Sequence, residues 1–185
     1  MKTIKDIALN EKLHFIVSLS EYADGQEVEI LSTAKQTDVR YGEFSFKKEE
    51  LEEMAKNFND NVVGTDIAVD ENHEENHRAL AWLTQGSMRV APSVQLSGEY
   101  SLFVRLEKPT PTGREFLSNG VYRYFSVEVQ RQFDRMKDGV KRVYNNVIRG
   151  LALTNRPVIK DLAPTFSEKQ LFHNTNAMTL EAFKL

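Results

Sequence analysis

The sequence predicts an α+β fold that is mainly β, a small closed or half-closed β-barrel flanked by a few helices. Three observations predict it. Short runs rich in β-branched and aromatic residues recur along most of the chain, separated by turn signals. The longest of them, 121–133 and 142–153, are joined across Asp138-Gly139, a dipeptide that two-residue hairpin turns favour. One segment alone, 48–59, carries apolar residues at strong helical spacing.

Taken in order, His14-Phe15-Ile16-Val17-Ser18-Leu19 and Val28-Glu29-Ile30-Leu31 read as strands, with Asp24-Gly25 as a hairpin turn between them. Tyr41-Gly42-Glu43-Phe44-Ser45-Phe46 alternates apolar with small or polar residues and reads as another strand. In the helix over 48–59, Leu51, Met54, Ala55 and Phe58 share a face. Glu49, Glu50, Glu52 and Glu53 crowd its N-terminal half, where the helix dipole favours them. Asn61-Val62-Val63-Gly64 ends the helix, and Ile67-Ala68-Val69 restarts an extended run. Tyr100-Ser101-Leu102-Phe103-Val104-Arg105-Leu106 is a further strand. Within Pro109-Thr110-Pro111-Thr112-Gly113, Thr112 is the expected cap of a short helix through Leu117, closed by Asn119-Gly120.

The 185 residues fit one domain with a substantial core, expected over 1–165. The remainder, 166–185, loses the pattern and reads as a tail: flexible, a docking segment or a cleavage segment. Apolar residues at 41%, charged ones at 28% and a net charge of −3 describe a globular surface without the basic excess of a nucleic-acid binder. There is no cysteine, hence no disulfide, no thiolate nucleophile and no Cys-built zinc site. No stretch approaches membrane-spanning length and the N-terminus lacks an apolar signal core, so a cytoplasmic location is expected. No phosphate loop or dinucleotide turn is present, and no cofactor is expected.

Two residues stand out chemically. Alternation along 121–133 puts Tyr122, Tyr124, Ser126, Glu128 and Gln130 on one face and Phe125, Val127 and Val129 on the other, core-facing one. A mid-strand serine is held rigidly, as a nucleophile must be. His73 follows the extended run 67–69, so a general base and a hydroxyl could meet across a sheet, the minimum for acyl transfer. A competing pattern runs through the same histidine. His73-Glu74-Glu75-Asn76-His77 matches H-E-x-x-H, in which two helical histidines hold zinc and the glutamate activates water. A zinc metalloprotease using His73, Glu74 and His77 is therefore an alternative. Against it, Glu71, Glu75 and Asn76 surround the ligands where apolar residues are usual, and His173 is the sole downstream histidine.

Asp70-Glu71-Asn72-His73 followed by Ala81-Trp82-Leu83 resembles the D-x-x-H … G-W segment of the Mu-like phage I proteins. Thr110-Pro111-Thr112-Gly113-Arg114-Glu115 is similar to that family's T-x-x-G-R-E turn, preceded by its strand at 100–106. Tyr122-Arg123-Tyr124-Phe125-Ser126 resembles its Y-R-Y-x-S strand, and Ala152-Leu153-Thr154-Asn155-Arg156-Pro157 its A-L-T-N-x-P closing segment. The resemblance covers roughly 40–160. Ala81 replaces the family's Gly before Trp, and Val127 stands where many relatives have Pro.

The resemblance implies a prohead (capsid-maturation) serine protease, distantly like the herpesvirus assemblins, with a small β-barrel bearing the nucleophile on a strand. It makes Ser126 the nucleophile and His73 the general base, and His77 incidental. Glu128 is the preferred third member, because a carboxylate accepts from the histidine's second N–H; Asp70 and Asn155 are the alternatives. Arg149 and Gly150 are the expected oxyanion region. The implied substrates are scaffolding protein, capsid-protein segments and the chain itself, inside the procapsid in the host cytoplasm, with a homodimer as a further expected partner arrangement. A catalytically inactive capsid-assembly factor of the same fold is the other alternative.

Overall fold

The computed structural model describes residues 12–18, 25, 27–38, 42–74 and 78–155. The tail expected at 166–185 lies outside the described residues. Among these residues, ten strands and two helices follow one another: β1 (Lys12–Ser18), β2 (Glu27–Ser32), β3 (Gln36–Asp38), β4 (Gly42–Phe44), α1 (Lys48–Asn59), β5 (Ala68–Glu71), β6 (Ala81–Leu83), β7 (Arg89–Pro92), β8 (Tyr100–Glu107), α2 (Pro111–Ser118), β9 (Tyr124–Lys137) and β10 (Val140–Thr154). Among the described residues, eight strands form one sheet in the order β1-β9-β10-β5-β6-β8-β2, with β7 also on β8; β3 and β4 make a separate hairpin. The sheet curls until β2, at one end, comes back beside β1 and β9 at the other. The predicted mainly β, half-closed barrel is what forms.

Its apolar face wraps α1. Leu51, Met54, Ala55 and Phe58 meet Phe125, Val127 and Val129 of β9, Leu151 and Leu153 of β10, Val69 of β5 and Leu102 and Val104 of β8 in one buried cluster. Each fully buried side chain of this kind contributes about 1.5–3 kcal/mol by leaving water. Polar contacts fix the helix on the sheet. Asn57 Nδ2 donates to the Asn145 carbonyl at 2.7 Å, Asn146 Nδ2 to Glu53 Oε2 at 2.6 Å, and Arg131 Nη1 to Glu50 Oε1 at 2.9 Å. At the start of α1, Glu50 Oε2 accepts the Lys47 N–H at 2.9 Å, satisfying a donor that the helix itself leaves open.

Two expectations are corrected. Asp24-Gly25 does not close a hairpin: β1 pairs with β9 over seven residues, and β2 pairs with β8. The longer strand β9 offers β1 more ladder than β2 does. The cap of α2 is Thr110 rather than Thr112. Its Oγ1 accepts the Gly113 N–H at 3.0 Å and Pro111 takes the first helical position, where a missing N–H costs nothing. Strand β6, on which Trp82 lies, and strands β3 and β7 are three or four residues long and were not anticipated as strands.

Gly113 brings α2 against the main chain. A Cβ there would stand 1.9 Å from the Leu80 carbonyl oxygen, the same atom that accepts the Thr110 N–H at 2.8 Å. Gly113→Ala therefore forces α2 away from the Leu80 main chain. It is expected to cost about 1–3 kcal/mol or more, read as a lowered urea midpoint with unchanged slope.

Candidate active site

Three strands position the site. Ser126 lies within β9, paired with Ile16 of β1 on one side and Ala152 of β10 on the other. Ala152 is paired in turn with Asp70 of β5, which runs parallel to β10. One row across the sheet thus carries Asp70, Ala152 and Ser126, and directly paired residues share a face. Glu128, two residues beyond Ser126, shares that face and stands opposite Gly150. The sequence reads this face as the more polar of the two. It is covered: Asp70, Ser126 and Glu128 are 5%, 4% and 6% exposed.

His73 comes from the turn that ends β5. Glu74 N donates to the Glu71 carbonyl at 3.0 Å across Asn72 and His73, both with φ of 53°. Positive φ at both central residues is the pattern of a type I′ turn, in which Asn suits the first position and Gly usually fills the second. A β-carbon in that conformation costs about 1–2 kcal/mol. Asn72 N donates to the Leu153 carbonyl at 2.9 Å, and His73 N to Asp70 Oδ1 at 3.1 Å. The imidazole that results lies with Nε2 3.0 Å from Ser126 Oγ. With the proton on Nδ1, Nε2 accepts the hydroxyl, the relation a base needs toward a nucleophile.

On the other side of the ring, Nδ1 is 3.9 Å from Asp70 Oδ1 and 4.0 Å from Glu128 Oε2. Both carboxylates proposed as third members therefore flank it. Asn155 does not. Its Oδ1 accepts the Arg123 N–H at 3.0 Å and its Nδ2 donates to the Val121 carbonyl, tying the end of β10 to the chain before β9. Gly150, expected near the oxyanion, stands by the other ring nitrogen. A Cβ there would lie 3.6 Å from Glu128 Cβ and 3.9 Å from His73 Nδ1. The Arg149 guanidinium stacks 4.6 Å over the Phe133 ring. The helical zinc pattern fails at its first ligand, because a residue with φ of 53° in a turn is not in an α-helix; His77 lies outside the described residues.

Two contacts went unanticipated. Tyr122, expected beside Tyr124 on the serine face, lies before β9 with its hydroxyl donating to Glu71 Oε1 and its ring edge-on to Phe116 at 5.2 Å. Asp70's hold on the His73 amide follows from its i,i+3 spacing, a signal that Asp side chains commonly give. A cavity of about 440 Å³ borders the turn, lined by Glu71, Glu74, Arg78 and Leu80.

Burial, and then the Glu71 carboxylate that accepts a hydrogen bond from its hydroxyl, push the Tyr122 phenol up from 10.0 to about 12. Between those values the unfolded chain releases this proton while the folded chain keeps it. The stabilisation is thus whole below about pH 10 and is lost as pH rises through about 12. In Tyr122→Phe, the fall of stability over that window is expected to flatten, and the last step of the phenolate absorbance titration to disappear.

No curated protein and no solved structure matches the chain. A family model does, over residues 29–165, a span that includes β5, β9, β10, both helices and every site residue named above. By that match, the chain belongs to the family of the Mu-like prophage I protein, N-terminal domain.

Proposed function

We propose that the protein is a serine endopeptidase of phage capsid assembly, cleaving scaffolding protein and capsid-protein segments, and itself, within the procapsid in the host cell. The observation that carries this reading is the 3.0 Å contact between His73 Nε2 and Ser126 Oγ. Membership in a phage protein family supports the setting. The reaction follows from the side chains. His73 takes the hydroxyl proton as Ser126 Oγ attacks a peptide carbonyl, forming the C–O bond. The imidazolium then gives that proton to the departing amine as the C–N bond breaks. Water, deprotonated by the same imidazole, hydrolyses the acyl-enzyme. Glu128 supports the positive ring from the Nδ1 side. The neighbouring cavity offers room for a substrate side chain.

The second reading is an assembly factor of the same fold without activity, which membership in a phage protein family fits equally well. The two readings separate on one experiment. Wild-type protein incubated with its scaffolding protein is expected to release fragments, and a fluorophosphonate is expected to add to Ser126 with loss of fluoride. Ser126→Ala abolishes both, and chelator leaves both unchanged. Intact scaffold together with an unlabelled Ser126 in the wild type establishes the inactive factor instead. Cleavage that survives Ser126→Ala and stops with chelator establishes a metalloprotease.

A further inference from the structure

Two buried carboxylates flank one imidazole nitrogen at nearly equal distances, and a single charge partner would suffice. We propose that Asp70 is a positioning residue, whose carboxylate holds the main chain of His73 in the left-handed conformation that aims its ring at Ser126, while Glu128 serves the ring's charge. The proposal rests on the reading of Ser126 and His73 as nucleophile and base.

The turn supplies the reason such a device is needed. Histidine occupies the position where Gly is usual, because the chemistry requires a side chain there. Strain of this kind persists only when surrounding contacts over-determine it. The bond from Asn72 N to Leu153 fixes the first central residue, and the Glu74 N–H closes the turn on Glu71. The bond at His73 itself comes from Asp70 Oδ1, at 3.1 Å. Asp70 is suited to this because it cannot wander. It is buried, and its backbone shares the Ala152 row with Ser126. The acceptor that sets the base is thus anchored on the same transverse row as the nucleophile, so one ladder fixes both partners. Glu128 sits on the nucleophile's own strand, opposite Gly150. The 3.9 and 4.0 Å separations do not distinguish the two acids; the main-chain bond does.

Asn preserves an acceptor oxygen without the charge, so it separates the two roles. The experiment compares wild type, Asp70→Asn, Asp70→Ala and Glu128→Gln by fluorophosphonate labelling, resolving the maximal rate from the half-saturating concentration, with a crystal structure of each. Asp70→Asn is expected to label within about tenfold of wild type. In Asp70→Ala the maximal rate should fall about 10²-fold at unchanged half-saturation, the consequence of a base displaced by about 1 Å. The structures should place His73 Nε2 beside Ser126 Oγ in the Asn and Gln variants and away from it in the Ala variant. The proposal is overturned if Asp70→Asn is as slow as Asp70→Ala with His73 undisplaced, which makes Asp70 the charge partner. It is equally overturned if His73 keeps its turn in Asp70→Ala. Should the Ala variant fail to fold, the Asn variant decides alone: the ring in place with near-normal labelling supports the proposal, and the ring in place with lost labelling ends it. A wild type that takes no label refutes the nucleophile reading separately, and Asp70 is then judged from the position of His73 in the variant structures.

Discussion

The site depends on the register of β10. This strand is antiparallel to β9 and parallel to β5, so it sets the spacing between the serine and the turn that bears the histidine. Its ladder with β9 shifts by one residue at Arg149: Ile148 faces Val129, and then Gly150 faces Glu128. Had the earlier register continued, Gly150 would have faced Val127 and Leu151 would have faced Ser126. A one-residue slip exchanges the two faces of a strand. The bulge therefore does two things. It sends Leu151 and Leu153 into the core beside Val127 and Phe125, and it puts the small residues Gly150 and Ala152 next to Glu128 and Ser126. The imidazole fits over Gly150 because no large side chain stands there.

The proposed nucleophile and base are held by different means. Ser126 is fixed by ladders on both sides of its strand, a placement that needs no special conformation. His73 is fixed in a strained turn by three hydrogen bonds, one of them to the Leu153 carbonyl near the end of β10. Asp70, Glu128 and Ser126 are also buried together, on a face where apolar side chains would be cheaper to remove from water. A sheet selected for stability alone would carry Gly in the turn and apolar residues on this face. Local rules broken together at one place mark function more strongly than any one of them.

Much of the fold was legible because the signals were local. The amphipathic face of α1 and the Asp138-Gly139 turn each concern neighbours in sequence, and both appear where expected. Asp138 and Gly139 both take positive φ, as that turn requires. The first hairpin was misread because partner choice is not local: Asp24-Gly25 signals a turn, and Gly25 does have φ of 76°, yet the strands around it go to β9 and β8. The capping threonine was misassigned although the signal was present, since Pro111 at the first helical position points to Thr110. Ser126 and His73 were legible from their motifs and strand positions. The burial of Ser126 was not, because alternation reveals which residues share a face and nothing about what covers it. Asn155 was drawn into the candidate site by its motif, while its amide is spent on the Arg123 and Val121 main chain.

That misassignment explains what the remaining motif residues do. Asn155 clamps the end of β10 to the segment that begins β9, which holds the Ser126 strand at its start. Thr110 and Gly113 bring α2 onto the Leu80 carbonyl, and the Leu80 N–H in turn bonds the Val69 carbonyl on β5. This fastens the chain that returns from the His73 turn to the strand it left. Glu71, at the end of β5, accepts from Tyr122, so β5 and the start of β9 are joined a second time. The motif segments therefore converge on the same three strands, and those that never touch the imidazole or the hydroxyl hold the strands that carry them. Fold and proposed chemistry are separable here: the clamps hold β5, β10 and β9 together without touching positions 73 and 126, and the proposed reaction rests on the imidazole and hydroxyl at 3.0 Å.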